Sequence, residues 1–142
     1  MLAHVSADLE EHLELSLDFD KLASVAATDQ AVVPVVLQHV DTGQVLFVGY
    51  ANELALQTSL HERIAVLWST SRNELWRKGA TSGDTLALID VRVNCEQNSL
   101  LYMVRPVNSG VCHTVGSDGT TRPSCYYRAI TDASSLRFVD DG

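Results

Sequence analysis

Positive charge is scarce in this chain. Ten lysines and arginines stand against eighteen aspartates and glutamates, a formal net charge of −8. Such a surface repels a nucleic-acid backbone, so no nucleic-acid partner is expected. An anionic small molecule is not excluded, because only the local potential of a cleft acts on it. Long apolar runs are also missing. None approaches the roughly 20 residues that span a bilayer, so no membrane helix is expected. The opening Met-Leu-Ala-His-Val-Ser-Ala-Asp turns acidic early and has neither a cationic n-region nor an apolar h-region. No secretory signal is therefore expected, and a cytoplasmic location is. Cysteine is limited to three residues, an odd number at wide spacing with no Cys-x-x-Cys knuckle. Reduced thiols available as metal ligands fit that pattern better than a disulfide framework. The chain contains no repeat and no low-complexity segment.

What is present is ordinary for a globular domain. The 142 residues suffice for one domain with a sizeable core, at 46% apolar and 20% charged. Residues 1–30 read as an N-terminal helical appendage: Leu9, Leu13 and Leu17 recur at helical spacing with Glu10, Glu11, Glu14 and Asp18 opposite. Residues 31–142 read as a single domain. Strands are expected at 31–40 and 45–50, around an Asp41-Thr-Gly-Gln44 turn, and Pro34 marks an edge or an irregular start. Residues 51–60 should be helical, with Asn52 as N-cap and Leu54, Leu56 and Leu60 partly on one face. Further strands are expected at 64–68, 85–93, 100–104 and 124–128, with a last helical turn after Ala133. In the strand at 85–93, alternation puts Leu86, Leu88, Asp90 and Arg92 on one face. The fold class is α+β, mostly antiparallel strands with a few short helices.

One stretch breaks the apolar patterning. Between Ser69 and Gly83 lie Arg72, Trp76, Arg77 and Lys78, with several hydroxyls that include Thr81 and Ser82. Cations and hydroxyls suit phosphate oxygens, and an aromatic face suits a base. The alternative is a solvated turn whose Trp76 packs on the core. Cys95, Cys112 and Cys125 each sit at a turn or strand end beside polar residues. Three thiolates can hold zinc and leave its fourth position open for water, the mark of a catalytic site. His113 follows Cys112 directly. It is a general base, a fourth ligand or a loop histidine without a role.

Five blocks occur in order: Trp68-Ser-Thr-Ser-Arg72, Leu75-Trp-Arg-Lys-Gly-Ala-Thr-Ser-Gly83, Asn94-Cys-Glu-Gln-Asn98, Cys112-His-Thr114 and Ser124-Cys-Tyr-Tyr127. Together they resemble the phosphoribosyl-AMP cyclohydrolase family of histidine biosynthesis, over about residues 33–127. The resemblance implies an intertwined homodimer with a zinc site shared between subunits, Cys95 from one and Cys112 with Cys125 from the other. It implies hydrolysis of the N1–C6 bond of the adenine ring in phosphoribosyl-AMP by a zinc-activated water. His113 would be the catalytic proton shuttle, and Arg72, Trp76, Lys78, Thr81 and Ser82 the substrate-binding residues.

Two departures accompany the resemblance. The family carries an Asp-Cys-Asp-x-Asp turn whose carboxylates bind magnesium, and here the positions read Asn94, Glu96 and Asn98. Losing two carboxylates costs several kcal/mol of magnesium affinity even at an effective dielectric near 20. The segment 115–121 also lengthens the gap between Cys112 and Cys125. Beside the cyclohydrolase reading stand a divergent paralogue, a zinc hydrolase acting on another purine nucleotide, and a non-catalytic zinc-stabilised dimer module.

Overall fold

A computed structural model of the chain describes residues 9–79, 83–108, 111–112 and 114–139. Its largest sheet is built from two hairpins. β1 (Val33–His39) pairs antiparallel with β2 (Val45–Ala51), and β5 (Leu86–Val93) with β6 (Leu100–Pro106). The hairpins join edge to edge through a parallel β1–β6 pairing, giving the order β2-β1-β6-β5. β3 (Val66–Ser69) and β4 (Glu74–Arg77) form a second small sheet, and β7 (Arg128–Asp132) with β8 (Ser135–Phe138) a third. Two short helices, α1 (Lys21–Ala27) and α2 (Glu53–Glu62), complete the described elements. The class is α+β with mostly antiparallel strands, as expected. Among the described residues, no helix is long and apolar enough to cross a membrane.

The parallel β1–β6 contact makes β1 an interior strand, so Pro34 does not mark an edge. It stands opposite Tyr50 of β2, one residue before the β6 pairing begins at Val35 and Leu100. The missing N–H therefore falls at the strand's start.

Two bulges adjust the alternation. A register shift between Leu37 and Gln38 lets consecutive Leu46 and Phe47 both be buried. A second shift between Leu88 and Asp90 corrects the expected face. Leu86 and Leu88 are buried, but Val91 packs next against the core while Asp90 and Arg92 stay exposed. Without the extra residue both charges would follow Leu88 inward, and desolvation opposes that.

Helix α2 begins as expected. Asn52 is extended, and its side chain accepts from the Ala55 N–H at 2.9 Å. The buried face differs: Ala55 and Ser59 point inward, Leu56 packs at the margin, and Leu54 and Leu60 are exposed. Close approach to β3 requires small side chains. The Ser59 hydroxyl donates to the Val66 carbonyl at 2.8 Å and accepts from its N–H at 2.9 Å, satisfying both polar groups of a buried strand start. The core joins Val35, Leu37, Leu46, Leu67, Leu86, Leu88 and Val104 around a buried Tyr102.

Two further expectations change. Residues 124–127 are not in a strand; β7 begins at Arg128. The chain after Ala133 forms strand β8 rather than helix, because the Asp132 side chain accepts from the Ser134 N–H at 2.9 Å and turns the chain back. In the N-terminal segment the described helices are residues 9–11 and α1, while residues 13–15 run along β8. There Leu136 N donates to Leu13 O at 2.7 Å and Leu15 N to Ser134 O at 2.9 Å.

Candidate active site

The loop between Cys112 and Cys125 closes on itself. The N–H groups of Val111 and Cys112 both donate to the Arg122 carbonyl, at 3.1 and 2.9 Å, and Arg122 N donates to Thr114 O at 2.9 Å. Beyond that neck, Val115 pairs with Thr121, and Gly116 N donates to Thr120 O at 2.9 Å. The extra residues thus form their own small hairpin and do not separate the cysteines. Cys125 is fixed on the sheet by its N–H to Leu46 O at 2.8 Å, with the Ser124 hydroxyl on Val45 O at 2.8 Å.

Cys112 is buried and Cys125 exposed. The two thiols meet: hydrogen bonding to Cys112, then burial, pushes the Cys125 thiol well above its ordinary value, and the nearby Lys78 ammonium opposes the shift. Thr114 Oγ1 lies 3.1 Å from Cys112 Sγ.

Lys78 links this corner to the polar stretch. Its Nζ lies 5.7 Å from the Phe47 ring centroid and 5.9 Å from that of Trp76. Gly79 follows with φ +78°, and an added Cβ there would sit 2.1 Å from the Asp84 backbone, so only glycine fits. Gly83 N closes the loop onto Gly79 O at 2.8 Å. Arg77 points elsewhere, pairing with Glu62 of α2 at 2.7 Å.

On the other side of Trp76 opens a cleft of about 440 Å³, lined by Lys21, Tyr50, Ser69, Thr70, Ser71 and Arg72 among others. Arg72 is held at its rim by Ser69 Oγ at 3.4 Å and Glu74 at 3.6 Å. Trp76 packs partly on the core and also lines this cleft. Two cations, three hydroxyls and two aromatic rings make a lining suited to a phosphorylated planar ligand.

Cys95 lies apart. It belongs to the turn after Val93, which pairs with Leu100, whereas Cys125 attaches beside the Leu37/Gln38 bulge, level with Tyr102 and Met103. Those levels differ by three strand residues, roughly 10 Å, and Cys95 extends the gap. Among the described residues no three His, Cys, Asp or Glu side chains cluster as a metal site. Asn94, Glu96 and Asn98 share the Cys95 turn, and all are exposed. His113, Thr81 and Ser82 lie outside the described residues.

Sequence reasoning missed Arg122, Lys21 and Tyr50. Arg122 is buried; its guanidinium meets Glu11 at 3.0 Å and lies 4.0 Å over the Tyr127 ring. It thus ties the N-terminal segment to the loop that carries both thiols. The Tyr127 hydroxyl on Glu10 O at 2.7 Å, and Arg128 on the carbonyls of Leu9 and His12 at 2.8 Å each, add to the clasp. An arginine in a polar loop carries no sequence signal of burial. Lys21 and Tyr50 reach the cleft from elements distant in sequence.

A family model described as phosphoribosyl-AMP cyclohydrolase matches residues 47–127. A phosphoribosyl-AMP cyclohydrolase of Caulobacter vibrioides is 39% identical over 129 residues, covering 90% of this chain and 83% of the relative. One from Methylococcus capsulatus is 38% identical over 111 residues, covering 78% and 82%. The histidine biosynthesis bifunctional protein HisIE of Thermus thermophilus is 37% identical over 119 residues, covering 83% of this chain and 52% of the relative.

Proposed function

The chain belongs to the phosphoribosyl-AMP cyclohydrolase family, and from that premise we propose that it opens the adenine ring of 1-(5-phosphoribosyl)-AMP in histidine biosynthesis. Water adds its oxygen to C6, the N1–C6 bond breaks, and N1 takes a proton. The observation that carries this reading is the meeting of Cys112 and Cys125 beside Lys78, next to a cleft with phosphate- and base-binding groups.

Two adjacent soft donors, with a third on a distant turn, fit a zinc ion shared between subunits. Cys112 and Cys125 would hold it together with Cys95 of the partner subunit. Zinc bound there would supply a water whose pKa is lowered toward about 7. Exposed Val48, Leu54, Leu60 and Val93 supply apolar surface for a second copy. Free thiols throughout accord with a reducing, cytoplasmic setting.

The remaining roles fall to side chains of this chain. His113, next to Cys112 in sequence, moves the proton from the attacking water to N1. Arg72 and Lys21, with the hydroxyls of Ser69 and Ser71, hold phosphate oxygens, while Trp76 offers a face to the base. Lys78 sets positive charge beside Cys125 and opposes the rise that its thiol takes from Cys112 and from burial. Thr81 and Ser82 complete the contacts to phosphate or ribose.

The test is ring opening of phosphoribosyl-AMP, followed by its ultraviolet change with zinc-loaded protein. Turnover lost in Cys112→Ala and in His113→Ala is the expected result. An absence of turnover in zinc-replete protein overturns the substrate assignment. The amide-rich turn favours another purine nucleotide as the second reading, and the same assay run on a panel of purine nucleotides decides between them.

A further inference from the structure

We propose that the turn between β5 and β6 is locked by its own amides and holds no magnesium ion. The inference rests on the family reading only in that the resemblance puts magnesium at these positions. Asn94 Oδ1 accepts two backbone N–H groups, those of Asn98 and Ser99, at 2.9 Å each. Asn94 Nδ2 donates to Asn98 Oδ1 at 2.7 Å, and Gln97 N donates to Asn94 O at 3.0 Å. Both amide oxygens that a cation would use are therefore already engaged. Asn94 Oδ1 has both acceptor sites filled, and a cation approaching Asn98 Oδ1 finds one of its two already taken by an N–H that the turn itself supplies.

The chemistry of the exchange is specific. Carboxylates at both positions would bring two anionic oxygens to about 2.7 Å, which requires a cation or a proton between them. With amides the same approach is an ordinary hydrogen bond. The swap thus replaces an ion that bridges the turn by an N–H that bridges it. Gln97 sits at φ 55°, a left-handed position that these bonds hold in place. Glu96 alone keeps a charge, and it is exposed. One carboxylate with no second anionic oxygen is a poor site for a hard, octahedral ion.

The experiment titrates magnesium into zinc-loaded, full-length protein and follows heat of binding and melting temperature, neither of which depends on turnover. A failure here is thereby distinguishable from a failure of the ring-opening assignment. Wild-type protein should show no heat and no stabilisation at millimolar magnesium. The double variant Asn94→Asp/Asn98→Asp should melt lower in chelator and recover with magnesium, binding it about a hundredfold or more tightly. Stoichiometric magnesium binding by the wild type that Glu96→Gln removes overturns the proposal. Binding that survives Glu96→Gln lies elsewhere and leaves the proposal standing. Should the double variant fail to fold, the wild-type and Glu96→Gln titrations decide alone.

Discussion

The four-stranded sheet carries two chemically loaded loops at opposite ends, and they treat their polar groups in opposite ways. At the Asn94–Ser99 turn the Asn94 side chain finds its partners inside the turn, in the Asn98 side chain and the N–H groups of Asn98 and Ser99. At the Cys112–Cys125 corner the backbone is satisfied by Arg122, Leu46 and Thr114, but the thiols find chiefly each other, with Lys78 facing them. A hydrogen bond between two thiols is weak beside a thiolate–metal bond, whereas the Asn94 amide already holds full-strength hydrogen bonds. Loop sequence alone does not separate the two cases. What separates them is whether the donors and acceptors are already spent.

The contrast can be broken most severely at the thiols. Cys112→Ala should remove zinc and lower ring-opening activity at least about a thousandfold, read by metal analysis and the ultraviolet assay. Retained zinc with full turnover would refute the metal role. Cys95→Ala should do the same if subunits share the ion, and mixing the two single variants should restore part of the activity, because a mixed dimer can contain one intact site.

Next in size is the clasp behind the thiols. Arg122→Ala removes a buried ion pair and a stacked aromatic contact, and should cost about 2 kcal/mol in urea unfolding. Glu11→Gln should cost less, since Glu11 is half exposed whereas Arg122 is 8% exposed in its side chain. Equal losses would mean that the ion pair rather than the stacking secures the segment.

The closed turn should lose about 1–2 kcal/mol in Asn94→Ala, which frees two backbone donors, and less in Asn98→Ala, which frees only one side-chain donor. Reversal of that order, measured by thermal melting, would contradict the amide lock. Asn52→Ala should cost about 1 kcal/mol through the α2 cap alone.

The smallest effect is electrostatic. Arg105 donates to Asp41 through two bonds of 2.8 Å and holds its carboxyl below the ordinary carboxylate range. A depressed native pKa adds stability that is fully present above the unfolded value, near 4, and is lost as pH falls through the folded value. Arg105→Gln should lower the melting temperature slightly at neutral pH and leave strongly acidic pH nearly unchanged, so that the acid limb of the profile flattens. Both groups are exposed, which keeps the effect small.

Much of the fold was legible because it rests on local chemistry. The β1–β2 hairpin follows from alternating Val and Leu around Asp41-Thr-Gly-Gln44, and the start of α2 from Asn52. The family blocks are local too, and they carried the activity class. Legibility ended where the answer depended on a distant partner. The bulge that turns Asp90 outward, the parallel seam of β1 on β6, and the inward face of Ala55 and Ser59 all depend on neighbours far along the chain.

The sequence by itself determined most element types, the family, and the identity of the soft donors, because side-chain chemistry and short-range periodicity are written residue by residue. Only the tertiary structure decided which donors meet. Cys112 and Cys125 come together because a neck at Arg122 folds the intervening residues aside, and Cys95 is carried to the far end by strand geometry. Such pairings are set by distances between chain segments, and a linear sequence does not contain those distances.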